Sequence, residues 1–166
     1  MHFFERQFVR LDNMLSRSVT LFISTIAIES FVICAITYSA IEYVFSIKGA
    51  DPFSGWSPTL FFVVTVLIAP ILETLVFQSL VFWTLKKTHV QGGFFWVLMI
   101  TPFALVHSQF SISRAVGAGV VGGLYLGVSY VLARRRYPFF YAFAITASAH
   151  SLRNLFVVVM SHAFPD

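Results

Sequence analysis

Five long apolar runs, separated by short polar segments, dominate the chain. They cover residues 19–45, 58–85, 94–112, 116–133 and 139–164. Each run has roughly the 17 to 25 residues that a helix needs to cross a bilayer, or slightly more, as a tilted helix allows. Nothing in the runs alternates like a barrel strand, and an open sheet would leave backbone groups unpaired in lipid. The pattern therefore predicts an all-α polytopic membrane protein, a bundle of about five transmembrane helices.

The segments around the first run define the predicted domains. Residues 1–18 mix aromatic side chains with arginines, which is typical of an amphipathic segment on the cytoplasmic membrane surface. The first run is too long for the apolar part of a signal peptide, so we interpret it as a retained anchor. Residues 48–58, KGADPFSGWSP, are rich in turn formers and break the apolar pattern. Residues 19–166 are predicted to form one transmembrane helical domain.

Composition agrees with a membrane protein. Of the 166 residues, 58% are hydrophobic and 11% are charged, and the mean hydropathy is +0.83. These values lie well outside the balance of a soluble domain. The net charge of +4 comes from basic residues clustered between the runs, which indicates membrane topology rather than nucleic-acid binding. The single cysteine, Cys34, permits no intramolecular disulfide.

The basic clusters also indicate an orientation. Three clusters fall on one side of the predicted bundle: Arg6, Arg10 and Arg17; Lys86 and Lys87; and Arg134, Arg135 and Arg136. The opposite loops carry Lys48 with Asp51, and Arg114. Because loops rich in Lys and Arg stay in the cytoplasm, the pattern predicts a cytoplasmic N-terminus and a C-terminus on the outside.

A few ionisable residues lie inside the apolar runs. They are Glu29, Glu42, Glu73, His107, His150, Arg153 and His162. Glu42 and His162 lie toward the ends of their runs, where their side chains reach water. The others are deep enough to cost roughly 2.5 to 3.5 kcal/mol each as charges near the bilayer centre, so they need a structural or functional reason.

Three of these residues, on three different helices, are predicted to reach the same depth. With a rise of about 1.5 Å per residue, Glu73, His107 and His150 lie roughly 18, 20 and 17 Å from the cytoplasmic ends of their runs. We therefore expect them to converge on one cavity. Asn154 lies one helical turn beyond His150 on the same face. One buried His or Asn is often only a bridge between helices, but this set can activate water, stabilise an oxyanion or bind a divalent metal.

The motifs that contain these residues resemble those of a known family. ETLVFQ at residues 73–78, FALVH at 103–107 and HSLRN at 150–154 are similar to the motifs E-E-x-x-x-R, F-x-x-x-H and H-x-x-x-N of the CPBP intramembrane proteases. That family includes the CAAX prenyl endopeptidases and many prokaryotic relatives. Glu73, Phe103, His107, His150 and Asn154 match in order, and the resemblance covers about residues 57–160.

The resemblance implies an intramembrane endopeptidase with a CAAX-protease-like core, in a prokaryotic cytoplasmic membrane. Its substrate would be a membrane-associated peptide or protein, cleaved for example in a C-terminal sorting or CAAX-like tail. Glu73 would be the general base that activates water, His107 would position that water, and His150 with Asn154 would stabilise the oxyanion. This hypothesis requires no cofactor. In the alternative, Glu73, His107 and His150 bind a divalent metal such as zinc, because the same side chains suit both mechanisms.

Two supporting positions depart from the family pattern. Thr74 replaces the family's second Glu and Gln78 replaces its Arg, so both members of a charged pair are absent together. Positions i and i+4 face each other on a helix, and removing both partners of a buried ion pair can be nearly neutral. We therefore expect Thr74 and Gln78 to form a neutral hydrogen-bonded pair. Arg153 is interpreted as a counter-ion for Glu29 or Glu73.

The fourth run contains a stripe of small residues. Gly119, Gly123 and Gly127 follow each other at intervals of four, which permits close helix approach and is expected to bring the third and fifth helices together. Two other classes of function stay open. The chain could be a catalytically silent relative that acts as a membrane immunity or scaffold factor, or a membrane subunit that handles metal ions or protons.

Overall fold

The described part of the chain is a bundle of helices. A computed structural model describes residues 2–45, 53 and 55–163, without the side chains of residues 2–4 and 162. Within these residues the helices are α1 (His2–Arg17), α2 (Val19–Phe45), α3 (Pro58–Lys87), α4 (Gly92–Ser108), α5 (Ile112–Arg136) and α6 (Phe139–Ala163). Helices make up 91% of the described residues, and these contain no strand. The predicted all-α class is confirmed.

Four of the described helices are long and apolar enough to cross a membrane: α2, α3, α5 and α6. Helix α4 is also apolar, and its 17 residues lie at the lower limit for a span. The protein is therefore an all-α polytopic integral membrane protein. The third run ends four residues earlier than predicted, because Ser111 caps the next helix by accepting a hydrogen bond from the backbone N–H of Arg114 at 3.1 Å.

Two of the spanning helices contain wide, π-helical turns that the sequence analysis did not predict. They are Val63–Ile68 and Thr74–Leu80 in α3, and Ala115–Gly122 in α5. Pro70 lies two residues beyond the end of the first of them. It has no N–H for the α-helical bond to Val66 and its ring crowds that carbonyl, which accounts for the change of helix type just before it. Such turns are often found at functional sites.

Helix α5 lies at the centre of the bundle and packs against α2, α4 and α6. Near its C-terminal end it also contacts α1, which is joined to it by a fully buried cluster that includes Leu15, Phe22 and Leu132. Arg136 at this end donates two hydrogen bonds to Asp12 of α1, at 3.0 and 2.7 Å. The basic clusters of the N-terminal segment and of α5 therefore meet at one end of the bundle.

Some predicted features fall beyond the described residues. Lys48, Asp51 and the predicted end of the last span at residue 164 lie outside them, and so does the side chain of His162.

Candidate functional site

Glu73 and His150 are brought together by α3 and α6. Glu73 is the last residue before the π-helical segment Thr74–Leu80, and His150 lies near the middle of α6. The Oε2 atom of Glu73 is 3.5 Å from Nε2 of His150, and their side chains are 25% and 1% exposed. These two side chains therefore lie close together, as expected. The pair combines a partly accessible carboxylate with a buried imidazole.

His107 joins this pair through Phe103 rather than directly. The ring of Phe103 is fully buried and packs against both imidazoles, with centroid distances of 4.5 Å to His107 and 5.9 Å to His150. Nδ1 of His107 lies 2.9 Å from the carbonyl oxygen of Phe103, one turn earlier on α4. Because a carbonyl only accepts, Nδ1 is the protonated nitrogen and Nε2 is left as a free acceptor.

Asn154 has a bracing contact that the sequence did not predict. Its Nδ2 donates a hydrogen bond to the carbonyl oxygen of Thr65 at 2.9 Å. Thr65 lies in the first π-helical segment of α3, so this bond joins α6 to α3 beside the Glu73–His150 pair. The second amide hydrogen and the amide oxygen of Asn154 are not used by that bond. Its predicted role at an oxyanion stays a prediction.

The prediction that Thr74 and Gln78 form a hydrogen-bonded pair is wrong. Both side chains are fully buried, as predicted, but the Thr74 hydroxyl and both polar atoms of the Gln78 amide have no hydrogen-bond partner. Both residues lie in the π-helical segment Thr74–Leu80, where backbone bonds link residues five apart. The i, i+4 alignment of an α-helix, which the prediction assumed, does not hold there.

Arg153 is a buried cation beside the site. Its side chain is 5% exposed, and Nη2 donates to the sulfur of Cys34 at 3.5 Å. Neither Glu29 nor Glu73 lies within ion-pairing distance of it. The alternative that Arg153 neutralises Glu29 is wrong, because Arg10 from α1 reaches Glu29 at 2.7 Å.

The residues that hold this guanidinium were not predicted from the sequence. Gly122 lies opposite it, where an added Cβ would come within 3.1 to 3.2 Å of the guanidinium atoms. Cys34 supplies the acceptor. Gly122 falls one position off the glycine stripe, and a lone cysteine in an apolar run has no signal of its own.

The glycine stripe faces α4. A Cβ on Gly119 would meet the Cα of Ala104 at 2.6 Å, and one on Gly123 would meet the ring of Phe103 at 3.1 Å. The same face of α5 therefore contacts Phe103 and, next to Gly119, the Cβ of His107, which an added Cβ would meet at 3.3 Å. The predicted close approach is confirmed for α4, the third span. The close approach of α5 to α6 occurs at Gly122, which lies against Arg153 of α6.

The predicted metal alternative does not fit this arrangement. Among residues 2–45, 53 and 55–163, no three His, Cys, Asp or Glu side chains are grouped so that they could hold a metal ion. Glu73, His107 and His150 therefore do not form the three-ligand set that zinc requires.

No family model, no curated protein and no solved structure matches the chain. The fold defines its class as an all-α polytopic membrane protein, and the Glu73–His150 pair defines its candidate site.

Proposed function

We propose that this protein is an intramembrane endopeptidase of the CPBP type. The proposal is supported above all by one observation, the 3.5 Å approach of Glu73 to His150 inside an apolar bundle. The two residues come from separate motifs that resemble those of the family. A carboxylate and an imidazole at this distance can exchange protons with a water molecule bound beside them.

In the proposed reaction, Glu73 accepts a proton from water while the water oxygen attacks the carbonyl carbon of the substrate peptide bond. The oxyanion that forms is stabilised by hydrogen-bond donors and positive charge, for which His150, Asn154 and the nearby Arg153 are the candidates. The carbon–nitrogen bond then breaks, and the proton taken from water passes to the leaving amine. The reaction needs no cofactor.

The exposure of Glu73 is consistent with a substrate that arrives from the bilayer. Its side chain is a quarter accessible, while its neighbours Leu72 and Val76 are exposed apolar residues on the outside of α3. An exposed apolar surface on a membrane helix faces lipid. A membrane-associated peptide or the tail of a membrane protein is therefore the proposed substrate class.

The proposed location is a prokaryotic cytoplasmic membrane, with the N-terminus in the cytoplasm and the C-terminus outside. The orientation is supported by the basic residues, since those of α1 and α5 meet at one end of the bundle through the Arg136–Asp12 contact.

The proposal is tested with purified protein and a library of fluorogenic membrane peptides that includes C-terminal tails. Glu73→Gln should abolish cleavage with little effect on folding, because it removes the base and leaves a side chain of nearly the same volume. Glu42→Gln is the matched control, since it makes the same change near the end of α2 and should retain wild-type cleavage. Cleavage by Glu73→Gln at the wild-type rate would refute the proposal.

A catalytically silent immunity or scaffold factor is the second candidate function. It is favoured by Thr74 and Gln78, whose buried polar atoms have no partners and which supply no charged pair beside Glu73. If the protein cleaves no member of the library and Glu73→Gln keeps its protective or scaffolding effect in cells, this candidate replaces the protease.

A further inference from the structure

A second feature of α3 lies between Glu73 and the basic end of the bundle. It is a cavity of about 800 Å³, bounded by the C-terminal half of α3, by α5 and by the start of α6. Its volume is within the range of ligand sites. None of Glu73, His107 and His150 lines it, so this cavity is separate from the candidate site.

The walls of the cavity are mostly apolar and its rim is basic. Leu80, Trp83 and Phe139 are among the apolar lining residues, while Lys86, Lys87 and Arg134 bring three positive charges. None of the described residues that line the cavity is acidic. The Lys87 ammonium lies 3.6 Å from the centre of the Trp83 ring, and Arg134 donates to the carbonyl oxygen of Tyr137 at 2.7 Å. These contacts hold two of the cations at the rim.

The inner part of the cavity contains a buried hydroxyl. Ser79 lines it and is 4% exposed, and its Oγ makes no hydrogen bond of good geometry, although the hydroxyl of Tyr130, which also lines the cavity, is close enough to interact with it. It lies seven residues before Lys86 on α3, or about 10 Å along the helix axis. A buried hydroxyl without a good hydrogen bond is costly, so a ligand with an acceptor at this depth would be favoured.

We propose that this cavity binds one anionic phospholipid from the surrounding leaflet. Lys86 and Arg134 would bind the phosphate, Ser79 would donate to an ester carbonyl oxygen, and an acyl chain would lie along Leu80, Trp83 and Phe139. Basic pockets between transmembrane helices attract anionic headgroups, which a zwitterionic lipid satisfies less well. The proposal does not depend on proteolytic activity.

Trp83 provides the measurement. The purified full-length protein is reconstituted in phosphatidylcholine vesicles that contain a small fraction of phosphatidylglycerol with brominated acyl chains, or of phosphatidylcholine with the same chains. Bromine quenches tryptophan only at short range, so the difference between wild type and Trp83→Phe reports on this cavity. We expect the anionic lipid to quench Trp83 at a much lower fraction than the zwitterionic lipid does.

Charge variants identify the binding residues. Lys86→Gln and Arg134→Gln should each lower the preference for the anionic lipid about fivefold. Arg135→Gln is the matched control, since it removes the same charge from the same cluster but lies outside the cavity, over the ring of Phe8 at 4.8 Å. Lys86→Gln leaves the Arg134–Tyr137 contact intact, so the test holds even if Arg134→Gln fails to fold. Equal quenching by the two lipids, or an equal loss in Arg135→Gln and Lys86→Gln, would overturn the proposal.

Discussion

Helices α5 and α3 are both long and apolar, but they differ in how much protein surrounds them. In the most apolar 18-residue window of α5, 61% of residues are buried inside the bundle, against 17% for α3. Helix α5 contributes glycines to the site and none of the candidate catalytic groups. Helix α3 supplies Glu73, Thr74 and Gln78 and one wall of the cavity.

The two helices therefore have different roles in the bundle. The central helix brings α4 and α6 close through Gly119 and Gly122, and so determines where His107 and Arg153 lie. The outer helix leaves the Glu73 side chain a quarter exposed, and polar atoms near it have no hydrogen-bond partners. Substitutions in α5 should therefore affect folding most, and substitutions in α3 should affect folding less.

The largest effect is expected at Gly119. A Cβ there would lie 2.6 Å from the backbone Cα of Ala104, which cannot move without shifting α4. Gly119→Ala should lower the free energy of unfolding by about 3 kcal/mol or prevent folding, as overpacked cores do. The measurement is reversible unfolding in mixed micelles, or the yield of folded protein where none survives.

Gly127→Ala is the matched control, on the same face two turns further along α5. Its Cβ would lie 3.7 Å from the end of Met99, in ordinary contact. It should be neutral or stabilise the protein by up to about 1 kcal/mol, since Ala is favoured over Gly in a helix. Similar losses in both variants would mean that α5 does not approach α4 through Gly119 in particular.

Much of the fold was predictable because burial in lipid requires long apolar runs. The first span was predicted to begin at Val19, where the helix begins, and the similar depth of Glu73 and His150 was predicted by counting residues from the ends of their runs. The π-helical turns were not predictable, because they depend on packing and on local events such as Pro70. The error at Thr74 and Gln78 follows from them, since the prediction assumed α-helical spacing.

Contacts between distant segments were the other limit. Nothing in HSLRN indicates that Asn154 binds the carbonyl of Thr65, and nothing in the apolar run around Cys34 indicates that its sulfur meets Arg153. The Arg10–Glu29 pair was missed for a related reason, because the fold of α1 against α2 decides which cation is nearest. Motif order and depth identified the candidate residues, but not the groups that hold them.

An effect of intermediate size is expected from two buried threonines. Thr146 of α6 shares a hydrogen bond with Ser129 of α5 at 3.3 Å, whereas the hydroxyl of Thr74 in α3 has no partner, and both threonines are fully buried. Thr146→Val should cost about 1 to 3 kcal/mol, because it leaves the Ser129 hydroxyl unsatisfied. Thr74→Val should instead stabilise the protein by about 1 kcal/mol, since it removes an unpaired polar group without a change of shape.

The two threonine variants control for each other, because they make the same change at equal burial. Unfolding in mixed micelles measures both. A loss of stability in Thr74→Val as large as that in Thr146→Val would mean that Thr74 has a bound partner, and the contrast between a satisfied α5 and an unsatisfied α3 would be lost.

The smallest effect is expected where α1 meets the basic end of α5. The two hydrogen bonds from Arg136 hold the pKa of Asp12 below its usual value, which for a free Asp side chain is about 3.9. A lowered pKa in the folded state means that the contact stabilises the docked α1 at neutral pH, and that this contribution is lost only as the pH falls through the lowered value. About a third of each side chain is exposed, so salt should weaken the contact further.

Trp96 reports on the docking of α1, because its ring packs edge-on against Phe8 at 6.3 Å. In the wild-type protein its emission should stay constant at neutral pH and change only below the usual pKa of Asp, about 3.9, as the pH falls through the lowered pKa of Asp12. Asp12→Asn should show part of that change already at neutral pH, and high salt should reduce the difference between the two proteins. The Arg10–Glu29 pair is present in both, so their difference isolates Asp12. Identical Trp96 emission of wild type and Asp12→Asn from acid to neutral pH, at low salt, would mean that α1 is held by its apolar face alone.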